Sequence, residues 1–281
     1  MMSKIFEAVG ECIYCGSTDN LTDEHVVPYG INGDMLLPKS SCLACNKITS
    51  KFEQIILKGI MQDARNVGGL KTRNKKSRSK TVNFKIIKKD ESVEELVLPI
   101  NDAVAFLHVP VYTDANYPYG GVPGKGAQIN GLEIVKFGRD LEPFLVSRDA
   151  IGFAGHVRID ANAFGKMLAK IAYSFYIGEK GVFSRSESPA LALIKGEVTE
   201  TSNWVGSSFV PISNEKPIGL HRIAIQTVNL KNGSQVDLVL IQLFAMAKTC
   251  TYEVVVKAAD WKSFSKREGM EPIEHNLPTP A

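Results

Sequence analysis

The chain has 281 residues, 44% of them hydrophobic and 22% charged, which is ample for a packed core and unlike a disordered chain. Its longest apolar run, near Val239 to Ala247, is interrupted by Gln242 and too short for a membrane-spanning helix. The net charge of +3 hides an asymmetry: residues 1–89 carry 15 Lys and Arg against 8 Asp and Glu, the remainder 18 against 22, so the first part suits a polyanionic partner.

Residues 1–11 read as a lead-in. Cys12 and Cys15 then form a Cys-x-x-Cys pair, and Cys42 and Cys45 form a second, with 26 residues between the pairs. Two such knuckles are what a tetrahedral zinc requires, each offering two thiolates about 2.3 Å from the ion. Two disulfides or four buried thiols are the alternatives. No leader peptide opens the chain, so the expected compartment is the reducing cytoplasm, where disulfides are rare. Four thiolates close the coordination sphere, so this Zn²⁺ would be structural.

Between the knuckles, Ser17 to Asn20 is a turn cluster, and Leu21 to Val27 reads as a strand. Met35 to Leu37 reads as its return, stopped by Pro38. Ile48, Phe52, Ile55, Ile56 and Ile60 recur at helical spacing and predict a helix from Leu43 to about Met61. Asn46, Ser50 and Glu53 share a face beside that stripe; Glu53 is an extra metal ligand or a hydrogen-bond partner or, more plainly, a solvated acid paired with a lysine.

The order Cys-x-x-Cys, Glu24-His25-x-x-Pro28, Cys-x-x-Cys-Asn46 resembles the HNH endonuclease family, in its four-cysteine, zinc-stapled branch. The resemblance covers residues 10 to 60 and implies a ββα-metal fold. It implies that Glu24 and Asn46 hold a catalytic Mg²⁺ or Mn²⁺ and that His25 is the general base. Those roles are chemically coherent: a hard ion takes oxygen ligands, and an imidazole can remove a proton from water near neutrality. Many members place an asparagine about five residues before the third cysteine to orient the base. Here that position is Leu37; Asn32, in the turn from Tyr29 to Asp34, or a backbone carbonyl is the candidate substitute.

After Gly68-Gly69, Lys71, Arg73, Lys75, Lys76, Arg78 and Lys80 make six basic residues in ten. Alone such a run reads as a solvated linker; beside a nuclease motif it reads as an arm contacting phosphates. Strand patterns follow at Val82 to Ile86, Glu95 to Leu98, Val104 to Tyr112, Glu133 to Phe137, Gly155 to Ile159, Ala190 to Glu197, Leu220 to Val228, Val236 to Phe244 and Thr251 to Val256. Asn232-Gly233 signals a hairpin, and Tyr117 to Gly124 is a breaker-rich loop, mobile or functional. Asp160 to Tyr176 reads as a helix capped by Asp160, with Lys166 and Lys170 on a solvated face or against a phosphate. His108, His156 and His221 read as structural or surface residues, and Cys250 as a small buried one. The tail from Glu271, which includes His275, reads as irregular.

The expected fold class is α+β. It comprises a zinc-bound ββα module over residues 1–65, a basic connector over 66–89, and a β-rich α+β domain over 90–281. The expected function is metal-dependent hydrolysis of DNA phosphodiesters, with RNA left open, in the restriction or defence settings common to the family. Its alternatives are a non-catalytic zinc-stabilised nucleic-acid-binding protein and a ligand-sensing protein with a nuclease output. A second copy or an effector is the partner considered for the C-terminal domain, and no membrane partner is expected.

Overall fold

The computed structural model describes residues 4–74, 76, 78–212, 217–230 and 233–264. The chain opens with a two-residue strand, β1 (Lys4–Ile5), then β2 (Leu21–His25), β3 (Met35–Cys42), α1 (Leu43–Lys58) and α2 (Gln62–Val67). It continues through β4 (Thr81–Lys88), β5 (Val93–Pro99), β6 (Val104–Tyr112), β7 (Ile129–Gly138), α3 (Leu141–Val146) and β8 (Ala150–Ala154). It ends with α4 (Ala161–Lys180), α5 (Pro189–Lys195), β9 (Val205–Ser208), β10 (Arg222–Asn229), β11 (Gln235–Gln242), β12 (Thr251–Ala258) and α6 (Trp261–Phe264). The architecture is mixed α+β, with sheets ordered β1-β3-β2, β5-β4-β8, β6-β7 and β10-β11-β12-β9. Every pairing is antiparallel except β1 with β3.

Helix α4 lies at the centre. Asp160 caps it, accepting from the Ala163 N–H at 2.8 Å, and the residues from Ala163 to Ile177 are buried except Lys166. A helix apolar on nearly every side must be covered on every side. Here α1 and α5 pack against it, as do β11 and β12 of the four-stranded sheet. The main hydrophobic cluster therefore joins Phe6, Ile13, Tyr14, Val26 and Ile56 from the first part of the chain to Phe164, Leu168, Ile171 and Phe175 of α4 and Val239 and Tyr252 of the sheet.

Three sequence readings need correction. Ala190 to Glu197 is helical, because Ser188 accepts from the Leu191 N–H, Pro189 occupies the first turn and Gly196 adopts φ 77° at the end. The alternating Ala-Leu-Ala-Leu pattern there is a buried helix and not a strand. Gly155 to Ile159 is irregular, and the strand precedes it as β8. Pro38 does not stop β3: the strand runs to Cys42 with an irregularity opposite Asp23, where Lys39 takes φ 47° and the Pro38 carbonyl still accepts from the Val9 N–H. A proline is tolerated at such a bulge because its missing N–H is not needed for the ladder.

The loop from Tyr117 to Gly124 is tied down, since the Tyr117 and Tyr119 hydroxyls donate to Asp260 and Glu253 and Asn203 Oδ1 accepts from the Gly124 N–H at 2.8 Å. β10 and β11 pair as the Asn232-Gly233 signal implied, although Asn232 itself lies outside the described residues. The tail from Glu271 with His275 lies outside them as well.

Candidate functional site

The four cysteines of the two knuckles converge, with their sulfur atoms within 4.8 Å of one another and none in a disulfide. A tetrahedron with zinc–sulfur bonds of about 2.3 Å has edges of about 3.8 Å, and Cys15 Sγ lies 3.7 Å from Cys42 Sγ. The donor set therefore fits a metal such as zinc. Local structure builds it: Cys42 is the N-cap of α1, and its sulfur accepts from the Cys45 N–H at 3.5 Å. That N–H, with the neighbouring thiols, pulls the Cys42 pKa down to about 7, whereas burial raises those of Cys12 and Cys45. From the segment between α4 and α5, Arg185 clamps the first knuckle. It donates to the carbonyls of Cys12 at 3.1 Å and Ile13 at 3.2 Å and pairs with Glu11 at 3.0 Å.

Beside this cluster a cavity of 220 Å³ is lined by Glu24, His25, Tyr29, Asn46, Ser50, Glu53, Arg65, Arg73 and Lys170, among others. His25 ends β2, its ring 5.3 Å from that of Tyr29. Gly33 closes the turn behind it: a Cβ there would lie 2.0 Å from the Val27 carbonyl oxygen, so no larger residue fits. Burial lowers the His25 pKa, with Lys170 and Arg73 adding to the effect and Glu24 opposing it. The imidazole is thus neutral at pH 7, the form that can accept a proton. Among the described residues its ring has no hydrogen-bond partner. Leu37 stands opposite Glu24 in the β2–β3 ladder and is buried in the core. Asn32 is engaged elsewhere, its Oδ1 accepting from the Lys71 N–H at 2.7 Å.

Glu24 is 5% exposed, and both its oxygens carry partners: Lys170 Nζ lies 2.6 Å from Oε1, and the Tyr14 hydroxyl donates to Oε2 at 3.2 Å. Lys170 is the principal correction at this site. Its place on α4 read as a solvated or phosphate-facing position, yet it is 1% exposed and inserted between Glu24 and Glu53. Nζ lies 3.0 Å from Glu53 Oε1, a second ion pair. It also donates to the His25 carbonyl and reaches that of Val26 at 3.4 Å. Burial disfavours the ammonium, but the two carboxylates outweigh it and raise the Lys170 pKa. Burial likewise raises that of Glu53, with Lys170 opposing. Glu53 is consequently a partner of a buried lysine and not a solvated acid.

Asn46 lines the same cavity, its Oδ1 accepting from the Ser50 hydroxyl at 3.1 Å. Arg65, which no sequence pattern singled out, ties the walls together by donating to the carbonyls of Gly30 at 2.6 Å, Leu57 at 2.8 Å and Lys71 at 3.3 Å. The basic run is divided by these contacts. Lys71 pairs with Asp34, Arg78 donates to the Leu70 carbonyl, and Arg73 turns to the cavity. Lys76 and Lys80 are exposed, and Lys75 lies outside the described residues. No protein-family model matches the chain, and no curated protein or solved structure matches it either.

For a catalytic Mg²⁺ or Mn²⁺ the residues present are a poor fit at Glu24. An ion bound to Oε1 would share it with the ammonium of Lys170, 2.6 Å away, and both side chains are buried, where like charges are poorly screened. The remaining arrangement, a neutral imidazole facing a cavity with a guanidinium on its wall, can accept a proton and hold an anion.

Among the other histidines, His221 is fully buried and His108 partly buried, and Cys250 is buried. His156 is exposed in the irregular stretch before α4. Among the described residues no helix is long and apolar enough to cross a membrane.

Proposed function

We propose that the chain is a DNA endonuclease whose reaction centre is the His25 cavity. The observation that supports this reading best is the convergence of His25, Asn46 and Arg73 on one cavity beside a metal-fitting cysteine cluster. In this reading Arg73 holds a phosphate oxygen, the neutral His25 imidazole takes the proton from a water whose oxygen bonds to phosphorus, and the bond from phosphorus to the 3′ oxygen breaks, that oxygen leaving as a hydroxyl with a proton from solvent. The exposed lysines Lys76 and Lys80 extend the phosphate contacts away from the cavity, giving affinity without base reading. In this scheme the parts of residues 90–281 outside α4 select the substrate or a partner.

A second reading, nucleic-acid binding without turnover, is favoured by one observation: no group among the described residues hydrogen-bonds the His25 ring. The two readings part in a plasmid assay of the zinc-loaded protein with Mg²⁺ or Mn²⁺ supplied. The first expects supercoiled circles to become relaxed or linear. Retarded but intact circles would overturn it in favour of the second.

A further inference from the structure

Glu24, the carboxylate that the sequence resemblance assigns to a metal ion, faces a cation already built into the chain. Lys170 comes from the middle of α4, 145 residues beyond His25, and is enclosed by groups from two other elements. Glu24 of β2 lies 2.6 Å away, Glu53 of α1 lies 3.0 Å away, and the carbonyls of His25 and Val26 complete the shell. An ammonium has three protons to give and no lone pair, so four oxygen acceptors around it leave no position vacant. The same face of α4 supplies Ser174, one turn on, whose Oγ lies 3.3 Å from the Tyr14 hydroxyl that holds the other Glu24 oxygen. Glu24 is therefore gripped at both oxygens by groups ordered from α4.

We propose that the Lys170 ammonium is the resident cation of this cavity, occupying the seat between Glu24 and Glu53 where a divalent ion would otherwise bind. Lys170 is a positioning residue: it neutralises Glu24 and, through the His25 carbonyl, fixes the strand end that carries the imidazole. The assignment deepens the nuclease reading and rests on it for the role, though the binding result below stands apart from any cleavage.

The test is a Mn²⁺ titration of the folded, zinc-loaded protein, free of nucleic acid, followed by the electron paramagnetic resonance signal of free Mn²⁺. The expected result is that the unaltered chain has no submillimolar Mn²⁺ site that Glu24→Gln removes. Lys170→Gln, which retains a donor for Glu24, and Lys170→Met should each create such a site or tighten weak binding by about tenfold or more. A submillimolar site in the unaltered chain that Glu24→Gln abolishes would overturn the proposal. So would folded Lys170 variants that bind Mn²⁺ no better than the unaltered chain. If neither Lys170 variant folds, the unaltered chain and Glu24→Gln decide the matter by themselves. Loss of the nuclease reading would appear in the plasmid assay and leave this titration unchanged.

Discussion

The imidazole of His221 is fully buried, Nε2 donating to the Ile31 carbonyl at 2.8 Å and Nδ1 accepting from the Phe244 N–H at 3.3 Å. These two bonds call for a neutral ring, and burial lowers its pKa to about 4 from an ordinary 6.5. Above pH 6.5 the ring is neutral whether the chain is folded or not, and its titration contributes nothing to the pH dependence. Below that value the unfolded chain takes up a proton that the folded chain refuses, so stability falls until pH reaches about 4. The loss expected from this one residue is about 3 kcal/mol. Urea denaturation at pH 7 and pH 4.5 measures it, and His221→Gln should lose less between the two pH values than the unaltered chain. Equal losses would contradict the assignment. His221 also explains what the sequence could not reveal at this scale: a single histidine in a strand pattern has no local signature of the carbonyl, 190 residues away, that it serves.

At the scale of elements, legibility follows the range of the forces. The knuckles, the β2–β3 pair and α1 were readable because cysteine spacing, alternation and the apolar stripe are local. Helix α5 was misread because the Ala-Leu alternation outweighed its stop and start signals, Ser188, Pro189 and Gly196. The polar side of α4 was misread for a different reason: Lys170 sits at a position that only tertiary packing turns inward. The cysteine cluster makes the element-scale prediction. It joins the N-terminus of α1 to a knuckle held by Arg185, and apo thiols in that geometry have little else to stabilise them. Zinc analysis should find one ion per chain. Its removal by a chelator under reducing conditions should lower Tm by roughly 5–10 °C, equivalent to a few kcal/mol for a chain of this size. A zinc-free, reduced protein with an unchanged Tm would contradict the structural role.

At the scale of the whole molecule, the cavity is a product of long-range packing. β2 and α1 supply Glu24, His25, Asn46 and Glu53, the basic run supplies Arg73, and α4 supplies Lys170 from beneath. The residue types of the first group were legible as a motif. Their surroundings were not, because the core that seats them unites both ends of the chain around α4. The cavity is proposed to cleave phosphodiesters with His25 as the base. The most direct measurement is the single-turnover cleavage rate of His25→Ala beside the unaltered chain, at saturating DNA in one buffer containing Mg²⁺ or Mn²⁺, with zinc content and Tm matched. Loss of a general base typically costs about 10²–10⁴-fold, so the account predicts a fall of that size with DNA affinity retained. A His25→Ala protein that cleaves as fast as the unaltered chain would contradict it.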